Sequence, residues 1–294
     1  MAAYIPEVVE DIRKFVEEAY LEIRMRFEDG HPLARLWFHD TEHTFGSGVI
    51  ERATRIAVVM ELPKRSIMIA QYAAAYHDTV QSWSVINGKG GVMKRQLHAG
   101  VNEVGSAHKA LARIDSSSLP FSPFEKGLIA SAIITTIPEW NVEHRTAFQP
   151  LLTPDSHPVI RAVALADLGA AGMDPVAFSR GGTRLFAEEQ LDVMFAVRNA
   201  KVPSEIGQAK QRQYRERLIG WLETQPRFAL GRKALLEEEL SLRKFPKDVQ
   251  GKLLGLFGSF DESARLAEKD VEAAKAMDFV TLMRSVWEDA FPGF

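Results

Sequence analysis

Residues 73–81 read AAAYHDTVQ. Three alanines lead into a histidine and an aspartate, His77 and Asp78, on what reads as a buried helix. Alanine makes the helix thin, so neighbouring helices can approach its backbone closely. Adjacent helical positions point about 100° apart, so the two polar side chains can face one cleft but cannot complete a ligand shell alone. The residues that can meet them decide both the fold and the chemistry.

Helical periodicity runs through the rest of the chain. Apolar residues recur at three and four over 5–29: Val8, Ile12, Phe15, Val16, Tyr20 and Ile23, with Gly30 as a stop. Helices are expected over 45–61, 64–82, 97–113, 122–136, 158–170, 183–200, 205–224 and 228–243. The stretch SPFE at 122–125 is a capping signature, with Ser122 as N-cap, Pro123 in the first turn and Glu125 three residues on. NGKGG at 87–91 reads as a flexible break, and 138–156 has no clear period. No run of alternating strand residues stands out, so the expected class is all-α. Pro246 and a shift to charge-rich sequence suggest a division at 245, with a helical domain over 1–245 and a helical extension over 246–294.

Composition narrows the chemistry. The 294 residues carry a formal net charge of −3, which gives no support to a nucleic-acid polymer or an anionic membrane as partner. The chain has no cysteine, so thiolate metal sites, disulfides and thiol nucleophiles are excluded. Any metal is held by His, Asp and Glu. The run LIASAIITTIP at 128–138 is too short for a bilayer, which takes about 20 apolar residues. The acidic start MAAYIPEVVEDIRKF lacks the apolar core of a signal peptide, so a cytoplasmic location is expected.

Other stretches concentrate polar groups in apolar surroundings: FHDTEHTF at 38–45, NEVGSAHKA at 102–110 and ALADLGAAGM at 164–173. A lone histidine in an apolar helix is usually a satisfied core residue. Asp167 among alanines and leucines is harder to dismiss, because a buried carboxylate needs a partner or a metal.

The order of His43, His77-Asp78 and Asp167 resembles the HD-domain superfamily of metal-dependent phosphohydrolases. FHDTEHT is similar to that family's Tyr-His-Asn-x-x-His-Thr pattern, whose second histidine is the ligand. NEVGSA resembles an Asn-Glu-x-x-Ser-Ala element of one subgroup of predicted HD phosphohydrolases. LADLG and RERLIGWLETQPRF (215–228) are similar to further stretches of it, so the likeness covers about 38–243. It implies an HD-type helical bundle in which His43, His77, Asp78 and Asp167 bind a divalent ion. The sequence departs from the pattern at Asp40, where the family usually has Asn. It also lacks a carboxylate in TVQSWS after the HD pair, and a histidine in IITTIPEWN (133–141).

Imidazole and carboxylate ligands suit Mn, Fe, Co, Ni or Zn, and Mg less well. Such an ion lowers the pKa of a bound water and neutralises charge on a phosphoryl group. The expected activity is hydrolysis of a small phosphate ester such as a nucleotide. Glu103 is the candidate general base, or else caps its helix, and Asp78 is the alternative base. Substrate contacts are expected from His39, from Lys94 and Arg95 on a cationic loop together with Lys89, and from Arg161. Trp83 could stack on a base, with core packing as the plainer role. Two alternatives stand beside hydrolysis. A di-iron oxygenase needs two further histidines, for which His98, His108, His144 and His157 are available. A metal-stabilised scaffold or ligand-binding protein needs no turnover.

Overall fold

The computed structural model describes residues 10–28, 37–117, 120–287 and 290–291. Of the described residues 69% are helical, and the strands among them form just two two-stranded hairpins, so the class is all-α. In chain order the elements are α1 (Glu10–Ile23), extended by a π-turn over Arg24–Glu28, α2 (Thr41–Thr44), α3 (Val49–Val59) and α4 (Lys64–Tyr76). The hairpin β1 (Trp83–Asn87) and β2 (Met93–Leu97) precedes α5 (Val101–Asp115) and α6 (Pro123–Ile134). The hairpin β3 (Glu139–Asn141) and β4 (Thr146–Phe148) leads to α7 (Pro158–Asp167), α8 (Ala170–Met173), α9 (Pro175–Glu189) and α10 (Leu191–Asn199). The chain ends with α11 (Gln208–Leu222), α12 (Gln225–Leu240), α13 (Lys247–Leu256), α14 (Phe260–Ala276) and α15 (Phe279–Val286).

Helix α4 is the axis of the first core. Every residue from Ile67 to Tyr76 is buried, so this helix has no solvent face and is packed on all sides by α1, α3, α5, α6 and α7. Ala70, Ala73, Ala74 and Ala75 are fully buried, and their small side chains let these neighbours close in. The capping signature forms as written: Ser122 N–H donates to Glu125 Oε2 at 2.8 Å, and Ser122 Oγ accepts from the Glu125 N–H.

Several expected boundaries shift. Helix α4 stops at Tyr76, with His77 as its C-cap, rather than running to 82. The expected helix over 183–200 is two helices, because Gln190 leaves the helical region (φ −99°, ψ 70°) and Asp174 caps an earlier start by accepting the Ala177 N–H. The start at 5 and the stop at Gly30 lie outside the described residues. NGKGG is the turn of a hairpin, not a loose break. Gly90 and Gly91 take positive φ (73° and 79°), which glycine adopts without strain, and the Gly88 N–H donates to Val92 O at 2.8 Å. The strands β1 and β2 escape a period-2 reading because each is five residues long, β1 is largely exposed and β2 buries just Arg95.

The division expected at 245 does not coincide with a boundary in the packing. Val249, Leu253, Phe257, Phe260, Ala264 and Ala267 belong to the same core as α4. A second core joins Trp37, Phe186, Met194 and Leu218 to Phe279, Met283 and Trp287. Helix α14 lies on the α8 turn: Ser259 N–H donates to Gly172 O at 2.9 Å and Ser263 Oγ to Ala171 O at 2.6 Å. A Cβ on Gly172 would meet the Phe260 ring at 2.6 Å, so a glycine is what permits that approach. No helix among the described residues is long and apolar enough to cross a membrane.

Leu253→Ala should therefore destabilise the whole fold by about 2–5 kcal/mol, the cost of a cavity in a shared core. Urea unfolding followed by tryptophan fluorescence and by circular dichroism checks it. A separate early transition confined to the C-terminal helices is the contrary result.

Candidate metal centre

Three chain segments converge at the ends of α2, α4 and α7. Asp40 is the N-cap of α2, its Oδ1 accepting from the N–H groups of Glu42 (2.9 Å) and His43 (3.0 Å). This gives the second His-Asp doublet a structural purpose, and Asp serves it as well as Asn would. His77 follows the last turn of α4 in αR conformation, and its Nδ1 lies 2.7 Å from Ala74 O. A ring nitrogen there must donate to the carbonyl, so in the neutral ring it is Nε2 that keeps the lone pair. Asp167 is the last residue of α7. Both α4 and α7 thus point their C-terminal, electronegative ends at one place, which favours a cation there.

The functional atoms lie close together. His77 Nε2 is 2.9 Å from Asp78 Oδ2 and 3.6 Å from Asp167 Oδ1. His43 Nε2 is 3.5 Å from Asp78 Oδ2 and 3.3 Å from Asp167 Oδ1. His43, His77 and Asp167 each offer an atom within 4.8 Å of the others, a grouping able to hold a metal ion. Yet the two Nε2 atoms and Asp78 Oδ2 are buried without any hydrogen-bond partner. Ligand atoms about 2.1 Å from one ion stand about 3.0–3.4 Å apart in octahedral or tetrahedral shells, which matches these separations. A donor set of imidazole and carboxylate, orphaned and so spaced, fits a divalent cation.

Each carboxylate is oriented from behind. Asp78 Oδ1 accepts from Gln81 Nε2 at 2.9 Å, and Asp167 Oδ2 from Gln149 Nε2 at 3.1 Å, so in each case the other oxygen faces the imidazoles. Arg52 Nε donates to Ala166 O at 2.8 Å and caps the end of α7. Burial alone would raise the carboxyls of Asp78 and Asp167. The adjacent imidazoles outweigh it, holding Asp78 at about 2 and Asp167 lower still. Burial opposes charge on both histidines. For His43 it prevails and depresses the imidazole; for His77 the attraction of Asp78 wins and raises it.

Beside this cluster lies a buried hub, Glu188 of α9. Its Oε2 accepts from the N–H groups of Phe38 (2.9 Å) and His39 (3.0 Å), and its Oε1 faces His39 Nδ1 at 2.8 Å and Arg95 Nη1 at 2.6 Å. The hub fixes the segment that delivers α2 and His43.

The expected site residues separate into those that meet and those that do not. His43, His77, Asp78 and Asp167 come together. His39 stands beside them, its ring 5.6 Å from that of His43 and tied to Glu188. Glu103 caps α5, its Oε2 accepting the Gly100 N–H at 2.5 Å. Burial pushes its carboxyl up, and the charges of Asp78 and Asp167 add to that, so it lies within electrostatic reach of the centre. Asn102 and Ser106 of the same element hold the backbone after the HD pair: Ser82 N–H donates to Asn102 Oδ1 (2.7 Å) and Val80 N–H to Ser106 Oγ (3.0 Å).

The expected substrate contact from Arg95 on the cationic loop is corrected. Arg95 points inward from β2 to Glu188, with its guanidinium over the rings of Trp37 (4.2 Å) and Trp83 (5.2 Å), so it braces the hairpin and leaves no face for substrate. Lys94, the next residue on the alternating strand, is exposed, as is Lys89 in the turn. Trp83 packs edge-on against Trp37. Arg161 is also corrected as a substrate ligand. It is 2% exposed, and its guanidinium donates to the carbonyls of Glu239, Thr153, Pro154 and Ser156 and to Ser241 Oγ, tying α7 to the end of α12. Of the histidines considered for a second metal, His157 accepts the Val159 N–H at the far end of α7, His108 is exposed on α5, and His98 faces Ser82 Oγ. Among the described residues none of these, nor His144, joins a second ligand group.

Sequence reading missed Gln81, Gln149, Glu188 and Arg52. Gln81, three residues past Asp78 in the segment that follows α4, is the nearest of them in sequence; the others come from distant segments. It also missed a cleft of about 450 Å³ that opens at His43 and is lined by Phe38, Phe45, Arg52, Arg180 and Arg184. A separate cavity of about 640 Å³ along α10 and α11 contains none of these groups.

No family model, curated protein or solved structure matches the chain.

Two outcomes are expected. Gln149→Leu frees the Asp167 carboxylate to turn and should weaken divalent-metal affinity by about 10–100-fold, measured by competition with a chelating dye. Glu188→Gln tests the hub. Burial would raise the Glu188 carboxyl, but His39 and Arg95 hold it at about 2 against an ordinary 4.5, so its stabilisation is complete above pH 4.5 and fades as pH falls toward 2. Burial would lower His39, but Glu188 and Asp78 hold it at about 9 against 6.5, so its share is complete below pH 6.5 and fades as pH rises through 9. The Tm deficit of Glu188→Gln should be largest between pH 4.5 and 6.5 and shrink on either side, read by calorimetry across pH.

Proposed function

We propose that this chain is a metal-dependent phosphohydrolase of the HD type, acting on a small phosphate ester such as a nucleotide. One observation carries the reading: His43, His77 and Asp78 direct orphaned Nε2 and Oδ2 atoms into one space that Asp167 Oδ1 also faces, from segments spread over 125 positions. The resemblance of FHDTEHT, the HD pair and NEVGSA to that superfamily supports it.

These four side chains would hold the ion, with Mn, Fe, Co, Ni or Zn favoured over Mg by the imidazole content. When bound, a divalent ion supplies Lewis-acid stabilisation of phosphoryl charge and makes water acidic enough to react near neutral pH. The protein's own groups do the rest. Ala74 O fixes the His77 tautomer, and Gln81 and Gln149 aim the carboxylates. Asp78 has one oxygen held by Gln81 and the other facing the histidines, which suits a ligand better than a mobile base. Glu103, with a raised carboxyl pKa, is the group suited to accept a proton, although its N-cap hydrogen bond must then lengthen. His39, held protonated by Glu188 and Asp78, suits an incoming phosphoryl oxygen.

The test combines elemental analysis of the purified protein with a screen of phosphate esters under several added divalent ions. Phosphate release should depend on the ion. His77→Ala and Asp167→Ala should each lose at least about 10³-fold in turnover together with bound metal, while circular dichroism stays native. Full turnover in either variant, or none in the native protein with any ion, sinks the reading.

A further inference from the structure

The strongest unassigned feature is a pair of arginines beside the centre. Arg180 and Arg184 lie one turn apart on the same face of α9, the spacing at which helical side chains become neighbours. Both converge on Glu42. Arg184 Nη1 is 3.0 Å from Glu42 Oε2, while Arg180 Nη1 is 3.2 Å from that oxygen and its Nη2 is 3.4 Å from Glu42 Oε1. Arg184 Nη2 also reaches Asp40 Oδ2 at 2.6 Å. The three residues line the mouth of the cleft that opens at His43, where Arg52 adds a third guanidinium and Asp174 a second carboxylate. Glu42 immediately precedes His43 in α2.

The backbone is built to bring these groups close. Gly181 sits between the arginines, and a Cβ there would meet the Phe38 ring at 2.9 Å, so α9 lies directly against the segment that leads into α2. Two guanidinium groups around one carboxylate reproduce the arrangement that recognises a phosphate. Glu42 is more than half exposed, and its bonds to Arg180 are long, so an exposed ion pair of this kind adds little stability and is readily exchanged for a stronger anion.

We propose that Arg180 and Arg184 form an anion subsite that takes a second phosphate of the substrate, distal to the ester held at the metal centre, with Glu42 occupying its place until substrate arrives. The substrate class is then a bisphosphate or diphosphate compound rather than a simple monoester. This rests on the hydrolase reading for the identity of the substrate, but not for the existence of the subsite.

Arg180 is the clean probe, because Arg184 also holds the cap of the helix that carries His43. The first measurement is calorimetric titration of the full chain with pyrophosphate in the presence of a chelator, so that no metal takes part. The native protein should bind, Arg180→Ala should bind at least about fivefold more weakly, and Glu42→Gln should bind more tightly. No binding by the native protein, or equal binding by Arg180→Ala, overturns the subsite and leaves the Glu42 contacts as a surface ion pair. The second measurement compares kcat/KM for a sugar bisphosphate and the matching monophosphate with added divalent ion. The preference for the bisphosphate should fall toward one in Arg180→Ala; a preference that persists overturns the proposed substrate class. Pyrophosphate binding through Arg180 with no turnover of any ester would sustain the subsite and remove the hydrolase reading.

Discussion

Burying two carboxylates at one point is the constraint on which this structure depends. Asp78 and Asp167 sit where two helices also end, so four sources of negative potential meet in a space with little water. Only positive charge makes that tolerable. In the protein alone the charged imidazole of His77, with His39 nearby, provides it, and the histidine neighbours hold both carboxyls below the usual range. The Nε2 atoms of His43 and His77 nonetheless find no hydrogen bond, and a divalent cation would satisfy both nitrogens and both carboxylates at once.

Much of the surrounding chain serves to hold that point. The alanines of α4 let α3 and α7 close on it, and Arg52 and Gln149 fix the end of α7. The α8 turn, just beyond Asp167, is carried by α14 through Gly172 and Ser263. The C-terminal helices are thus a support for the centre from behind. On the other side Glu188 collects the backbone of Phe38 and His39, and Arg95 neutralises it between two tryptophans. A buried pair of this kind adds little net stability, but it defines where His43 can be.

The same physics separates the arginines. Arg95 is drawn into the protein by the buried charge of Glu188, and Arg161 by carbonyls that burial leaves otherwise unpaired. Arg180 and Arg184 stay at the rim, sharing Glu42, whose solvent exposure keeps exchange easy. Charge alone, counted along the chain, does not distinguish these two fates.

Sequence by itself determined the all-α class, most helix positions and the capping box at Ser122, because each leaves a local mark, while the four residues that converge were named by the likeness to the HD pattern. The local marks are apolar spacing and a cap residue three places before its partner. The tertiary structure decided what Glu188, Gln149 and the Arg180–Arg184 pair do, and that the chain past 245 joins the main core. These depend on which distant surfaces touch, and a single side chain such as arginine can brace a core or greet a ligand according to what packs against it. No local pattern encodes that choice, since burial and its electrostatic cost exist only once the helices have come together.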